Sequence, residues 1–271
     1  GIAAVWIFCG GMPRAGSTVQ FQLTAHLVER AGRGARVEWV PPHEFPALRA
    51  RYAGQPGWKV FKSHACTPEI RAELAAGAKG VYVYRDVRDV VVSRMRKRGQ
   101  TADRLWRDGV VDQLLASYVR WTESPGVLIS RYETMVADLA GEVERIAAHL
   151  GIESDRAACA DLAAQYTVPA QRERIRQAET AGRLEQRDGF HYDPTSNLHV
   201  DHIRSGKSGE WRDVLTRTQV ALIERRAGRW LQAHGYPLAL PGWQRAILTF
   251  GHDRWPRGRA DTAAPPHGAG E

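Results

Sequence analysis

Cysteine is scarce in this 271-residue chain: three copies, at positions 9, 66 and 159, stand far apart and form no CxxC pair. That excludes a disulfide scaffold and a thiolate metal site of the usual spacing, and it reads as a reduced, cytoplasmic protein. Long apolar runs are also missing. No stretch approaches the roughly 20 residues needed to cross a bilayer and no signal-peptide pattern is visible, so no membrane span is expected. His199 and His202 stand three apart without a third ligand in sight, so no metal is expected. The basic residues form no stripe interleaved with aromatics, and no zinc-finger, RRM-like or helix-turn-helix pattern appears, so nucleic acid is not an expected partner. The most informative shortage is one lysine. Counted from Gly11, the glycine-rich segment Gly11-Met12-Pro13-Arg14-Ala15-Gly16-Ser17-Thr18 has the spacing G-x-x-x-x-G-K-[ST], but Ser17 stands where the lysine belongs and the cation, Arg14, lies inside the loop.

What is present suits a phosphate site of another kind. The apolar run Ala3–Cys9 reads as a buried strand before the loop, and Val19, Leu23, Leu27, Val28 and Ala31 share one helical face after it. Backbone N–H groups at such a turn, with a helix N-terminus behind them, cradle an anion. A P-loop that uses a nucleoside triphosphate needs its lysine on the β/γ-phosphates and an acidic metal partner. The lysine is absent and the partner is not evident, which points to a donor with one 5′-phosphate activated as a mixed anhydride.

A second constellation, Val81 to Ser93, runs from an apolar strand into a charged turn and a helix beginning near Asp89. Arg85 sits at the strand's C-terminal end, where open α/β sheets bind ligands, and Ser93 lies close enough to share an anion with it. A third, Arg204-Ser205-Gly206-Lys207-Ser208-Gly209-Glu210-Trp211, is a basic, hydroxyl-rich loop suited to wrapping a dianion, with Trp211 as packing that positions it.

In this order the three segments resemble the sulfotransferases that use 3′-phosphoadenosine 5′-phosphosulfate (PAPS). Pro13-Arg14-Ala15-Gly16-Ser17-Thr18 is similar to that family's 5′-phosphosulfate loop, Arg85 with Ser93 to its 3′-phosphate motif, and Arg204 to Trp211 to its R-x-G-x-x-G-[DE]-W loop. Lys62-Ser63-His64 is similar to the K-[ST]-H element that carries the family's base, and Tyr132-Glu133-Thr134-Met135 to a Y-E-x-[ML] element whose tyrosine contacts adenine. The tryptophan that cytosolic members place after the first loop is Val19 here, and the loop arginine is more like bacterial and Golgi-type relatives. The resemblance implies a PAPS-dependent transfer of a sulfuryl group to a hydroxyl of a small-molecule, lipid or carbohydrate acceptor. It assigns His64 as general base, Arg14 and Lys62 to the leaving oxygen, and Arg14, Ala15, Gly16, Ser17, Thr18, Arg85, Ser93, Tyr132, Arg204, Ser205 and Gly206 to the cofactor. Two other readings stay open: a P-loop small-molecule kinase and a non-catalytic nucleotide-binding module.

The expected fold is α/β: a single domain over residues 1–250, with a central parallel sheet covered by helices on both faces and a P-loop-like 5′-phosphosulfate loop. The 43% hydrophobic content supports one substantial core, and 38 Lys and Arg against 30 Asp and Glu give a net charge of +8, suited to anionic ligands. Strands are expected at Ala3–Cys9, Val37–Val40, Trp58–Phe61, Val81–Tyr84 and Val127–Ser130. Helices are expected around Val111 to Tyr118, from Met135 to Leu150 with a stop at Gly151, and around Val220 to Leu231 before Gly235. Arg94, Arg96, Lys97 and Arg98 read as cations that complement a helix C-terminus. Residues 157–202 read as a polar acceptor-side insertion with an exposed helix near 172–183, and residues 251–271 as a disordered tail. Tyr52, Trp106, Tyr166, Phe190 and Tyr192 are candidates for an acceptor pocket, not distinguishable from core by sequence.

Overall fold

The structure, a computed structural model, describes residues 5–187, 190–193, 198–199 and 208–251. The chain begins β1 (Val5–Gly11), α1 (Ser17–Arg30), β2 (Gly34–Arg36), α2 (Phe45–Arg51), β3 (Trp58–Lys62), α3 (Pro68–Ala75), β4 (Lys79–Tyr84), α4 (Val87–Arg98), α5 (Ala102–Arg107) and α6 (Val110–Thr122). It continues β5 (Val127–Arg131), α7 (Tyr132–Ala137), α8 (Leu139–Leu150), α9 (Arg156–Ala164), α10 (Val168–Thr180), β6 (Glu185–Arg187), β7 (Phe190–Asp193), β8 (Leu198–His199), α11 (Trp211–Val214), α12 (Arg217–Ala233) and α13 (Gly242–Leu248). The first five strands form one parallel sheet in the order β2-β3-β1-β4-β5, and β6, β7 and β8 form a small antiparallel one.

Alternation along the strands builds a core on each face of the large sheet. Trp6 and Phe8 of β1 point to one side, where Phe45 and Phe61 meet them, while Ile7 and Cys9 point to the other, against Phe21, Val28 and Ile146. The first side is an aromatic cluster, with Trp6 edge-on to Phe45 at 5.0 Å and Phe45 stacked on Phe61 at 5.4 Å. A strand buried on both faces by crossover helices reads as a continuous apolar run, which is the pattern of residues 5–9.

Chain order reverses around β1: the chain leaves it towards β3 and β2, then crosses to β4 and β5 on its other side. In an open α/β sheet such a switch point opens a crevice at the C-terminal strand ends. The loops after β1, β3, β4 and β5 all reach that edge.

Several expected elements are shifted. The second strand is Gly34–Arg36, and Val37–Val40 is irregular: Val37 and Val40 are buried, so a two-apolar pattern mimicked a strand while the parallel pairing to β3 is made by the residues before it. The helix expected over Met135–Leu150 is two helices, broken at Asp138, whose carboxylate accepts from the Gly141 N–H at 2.8 Å and starts a new helix there. The helix after β4 begins at Val87, capped by Asp86, rather than near Asp89. Residues 157–164 pack into the main core, through Cys159 and Leu162, and α10 buries Gln171, Ile175 and Ala178 on one side, so this part of the chain is not simply an exposed polar insertion. Polar heptad-like spacing hid a narrow buried stripe.

Arg88 is fully buried between α4 and α12. Its guanidinium donates to Asp86 and to Glu224, each at 2.7 Å, and to the Pro237 carbonyl at 3.0 Å, and it lies 3.9 Å over the Trp211 ring. Removing one partner of such a cluster leaves buried charge uncompensated. Arg88→Met is therefore expected to destabilise the fold by about 3–5 kcal/mol in urea unfolding. A loss below about 1 kcal/mol would show that the cluster is not holding α12 against α4.

Candidate functional site

The loop after β1 turns tightly, with the Met12 N–H on the Val83 carbonyl at 2.9 Å and the Ala15 N–H on the Met12 carbonyl at 3.0 Å. Arg14 has φ +71°, the left-handed region, and among the described residues it is the one non-glycine residue there. Gly16 follows at φ +81° as the N-cap of α1. A Cβ at Gly16 would meet Met135 Cε at 2.8 Å and Tyr132 Cδ2 at 2.9 Å, and one at Gly11 would meet the Ser17 Cβ at 2.7 Å. Glycine is therefore required twice for steric reasons, and at Gly16 also for its backbone angle. No side chain caps α1 and no acidic residue lies in its first turn, so its leading N–H groups and the positive end of its dipole face the crevice. This is a cradle for an anion.

Cations from the loop itself and from two other elements converge on the cradle. Lys62, at the end of β3, is buried and donates from Nζ to Thr18 Oγ1 at 2.7 Å. Burial, followed by the charges of Lys97 and Arg14 and opposed by Cys9, pushes its pKa down to about 8. Arg14 donates from Nε to Ser93 Oγ at 2.9 Å, which joins the first loop to the β4–α4 unit. Arg85 is buried, places Nη1 3.5 Å from the Arg14 carbonyl and lies over the Tyr132 ring at 4.3 Å.

His64 is exposed at the mouth of this crevice. Its Nδ1 lies 2.9 Å from the Gly11 carbonyl oxygen, which can only accept, so Nδ1 carries the proton and Nε2 keeps its lone pair in the neutral ring. The backbone beneath it is pinned by the Trp121 Nε1–H and the Ser117 hydroxyl, both donating to the His64 carbonyl, at 3.2 and 3.3 Å. Crowding by protein atoms first, then the charges of Lys62, Lys97 and Arg94, push the imidazole pKa down to about 4, against the Gly11 bond. The ring surface is open to solvent, so the direction of that shift, toward a neutral imidazole, is what its cationic surroundings support.

The third basic segment is reached through Asp89. This buried carboxylate accepts from the Gly209 N–H at 2.7 Å and the Trp211 N–H at 3.1 Å, and stands 3.6 Å from Arg85 Nη2. Burial raises its pKa, and the two backbone bonds and Arg85 oppose that. The C-terminal half of the Arg204–Trp211 segment is thereby fixed beside Arg85, while Arg204, Ser205 and Gly206 themselves lie outside the described residues.

Sequence reading passed over several of these groups. In the sequence Asp89 reads only as the start of a helix, yet it sits at i+4 from Arg85, a spacing that could have flagged it. The Arg94–Arg98 cluster is more than a helix-end complement: Arg96 binds Glu210 at 2.5 Å, and Arg94 and Lys97 act on His64. Tyr132 is both buried and stacked under Arg85. Val19 packs into the core cluster containing Phe21 and Val28. The aromatic candidates for an acceptor pocket do not converge. Tyr52 packs edge-on to Trp6 on one face of the sheet, Tyr166 joins the core of the other face, and Trp106 packs on the first core, so burial rather than a shared pocket explains them. Tyr192 is buried with its hydroxyl on Glu185, and the Phe190 side chain and His202 lie outside the described residues. No group of three metal-ligating side chains stands together among the described residues, and no described helix is long and apolar enough to cross a membrane.

Comparison with known proteins gives one family and one fold. The family described as "Sulfotransferase domain" matches residues 7–235. Retinol dehydratase in complex with androsterone and the inactive cofactor PAP superposes with a TM-score of 0.57 at 17% identity, over 87% of this chain and 82% of that one. The retinol and PAP complex of retinol dehydratase gives 0.56 and 17%, over 87% and 83%. Mouse sulfotransferase SULT7A1 complexed with PAP gives 0.58 and 18%, over 85% and 89%. At such identities these likenesses are of fold. No curated protein matches the chain.

Proposed function

The chain belongs to the sulfotransferase family, and on that premise we propose that it transfers the sulfuryl group of PAPS to an acceptor hydroxyl, with His64 as general base. The observation that carries this reading is the Arg14–Ser93 hydrogen bond, 2.9 Å long, which makes one cationic wall of the α1 cradle and the β4–α4 turn. A nucleotide with phosphates on both its 5′ and 3′ positions needs two such anion sites a ribose apart. The residues fit it: a glycine-built cradle with no acidic residue in the helix's first turn, and a second group of cations beside it.

When bound, the donor supplies the sulfuryl group and a phosphate leaving group. Arg14, Ala15, Gly16, Ser17 and Thr18 would hold the 5′-phosphosulfate, and Arg85 with Ser93 the 3′-phosphate, joined by Arg204, Ser205 and Gly206. Tyr132 would border the adenosine. Lys62 and Arg14 place positive charge where negative charge grows on the leaving oxygen. His64 Nε2 takes the acceptor's proton; the Gly11 carbonyl holds the tautomer that makes Nε2 the basic nitrogen, and the surrounding cations keep the ring neutral at pH 7. The acceptor class, a small molecule, lipid or carbohydrate bearing a hydroxyl, follows from the reaction rather than from a pocket, and a single domain over 1–250 belongs to the same reading.

A kinase would need a carboxylate for its metal at the end of a neighbouring strand. Asp86 and Asp89 stand there, and they are committed to Arg88 and to the Gly209 and Trp211 N–H groups. Ligand-induced thermal shift separates the two. Adenosine 3′,5′-bisphosphate at about 100 times its Kd is expected to stabilise the protein by about 2.7 kcal/mol, with no comparable effect from ATP and Mg²⁺. Arg85→Ala should abolish the shift. Stabilisation by ATP alone would favour the kinase.

A further inference from the structure

Helix α13 turns its large apolar side chains outward. Trp243 and Ile247, four residues apart on the helix, and Phe250 in the turn just past its end are 65%, 65% and 90% exposed. The presentation is held from behind: Leu248 packs on the core, Thr249 is fully buried and accepts from Arg225 at 2.8 Å, and Arg245 donates to the Leu240 carbonyl. Beside the stripe a groove of about 490 Å³ runs between α12 and α13, lined by Arg225, Arg229, Gln232, Leu238, Arg245 and Phe250 among others. Glu224 also lines it, but this carboxylate is buried, accepts from Arg88 and from the Ala239 and Leu240 N–H groups, and lies 3.9 Å from Arg245, which leaves Arg225 and Arg229 in excess. The groove therefore presents cations. In sequence, Arg254, Trp255, Arg257 and Arg259 come next.

We propose that this face seats on an anionic phospholipid surface, with lipid phosphates against the arginine groove and Trp243, Ile247 and Phe250 in the boundary between headgroups and acyl chains. Charge decides between occupants. A second copy docked across a two-fold axis would bring the arginines of α12 and α13 face to face. Area points the same way: three such side chains offer on the order of 400 Å², about half of the roughly 800 Å² per partner that a stable dimer buries. Isolated, protruding apolar side chains flanked by arginine suit a fluid surface into which an amphipathic helix sinks about 5–10 Å. Tryptophan at such a boundary keeps its ring in apolar surroundings and its N–H hydrated. This inference does not rest on the donor assignment.

The test is co-sedimentation of the full chain with vesicles of phosphatidylcholine mixed with phosphatidylglycerol, against vesicles of phosphatidylcholine alone. Partition onto the anionic vesicles is expected to be at least about tenfold stronger and to weaken as salt rises. The Trp243→Ser/Phe250→Ser double variant and the Arg229→Glu variant should each lose about tenfold in partition, with melting temperatures unchanged because all three side chains are exposed. Equal or no binding to the two vesicle types, or variants that bind like the parent, overturns the proposal. So does a dimer in sedimentation equilibrium that the double variant dissolves, which would assign the face to a second copy.

Discussion

His64→Ala is expected to lower kcat by about 10²–10⁴-fold, the range for a positioned general base, while adenosine 3′,5′-bisphosphate still raises the melting temperature as it does in the parent. The two readouts part because the proposed phosphate cations are separate side chains: Arg14 on the loop after β1, Lys62 two residues before His64 at the end of β3, and Arg85 after β4. The His64 ring bonds to the Gly11 carbonyl rather than to any of them. The measurement is transfer of labelled sulfuryl to a panel of hydroxyl acceptors, with His64→Asn as a second variant. Asparagine keeps a donor of similar reach for the Gly11 carbonyl but has no basic nitrogen. If His64→Asn retains kcat within about tenfold of the parent, the base lies elsewhere. If both variants lose the thermal shift, the histidine is holding the loop rather than moving a proton.

Lys62 carries the second large effect, and it acts in opposite directions on rate and stability. Lys62→Met should cut kcat by about 10²–10³-fold, as loss of one preorganised donor to a developing oxyanion does. The same change should raise the melting temperature of the ligand-free protein at pH 7. The ammonium titrates near 8 in the folded protein against 10.5 when unconstrained, so below pH 8 both states carry the proton and the cost of burying the charge is fully present. Between pH 8 and 10.5 the unfolded chain binds more protons, the parent gains stability as pH rises, and the advantage of methionine shrinks. A parent whose stability is flat across that window, or a methionine variant that melts lower at pH 7, would show that the Thr18 bond outweighs desolvation. Activity supplies an independent check. The parent's kcat/KM should fall on the alkaline side from about pH 8 as Lys62 in the free enzyme loses its proton. Lys62→Arg, which stays charged, should lose that limb.

The site was legible in the sequence where a backbone constraint and a charge sit within a few residues of each other. Pro13 to Thr18 announces a glycine-rich turn before a helix, and Arg85 and Ser93 flank one strand-to-helix turn because a strand end and a helix start fix their separation. Lys62-Ser63-His64 is readable for the same reason, being the end of a buried strand. The misreadings fall where burial alone sets the pattern. Val37 and Val40 are buried beyond the end of β2, with the Val37 N–H making a last bond to the Val60 carbonyl, α10 hides its inner residues among charged ones, and Tyr52 and Tyr166 are aromatics serving opposite cores. In each case the local sequence alone does not separate the two outcomes.

By itself the sequence determined the α/β alternation, the family and the basic, glycine-rich character of each segment proposed to bind phosphate, because local spacing dictates turns, strand ends and helix starts. Tertiary structure alone decided that Arg14 reaches Ser93, that Gly11 sets the His64 tautomer, that Asp89 fastens the Gly209–Trp211 turn beside Arg85, and that Lys62 is buried deeply enough to titrate near 8. The physical reason is distance along the chain. These pairs are separated by tens of residues or more, and only the switch of strand order around β1 brings their loops to one edge of the sheet.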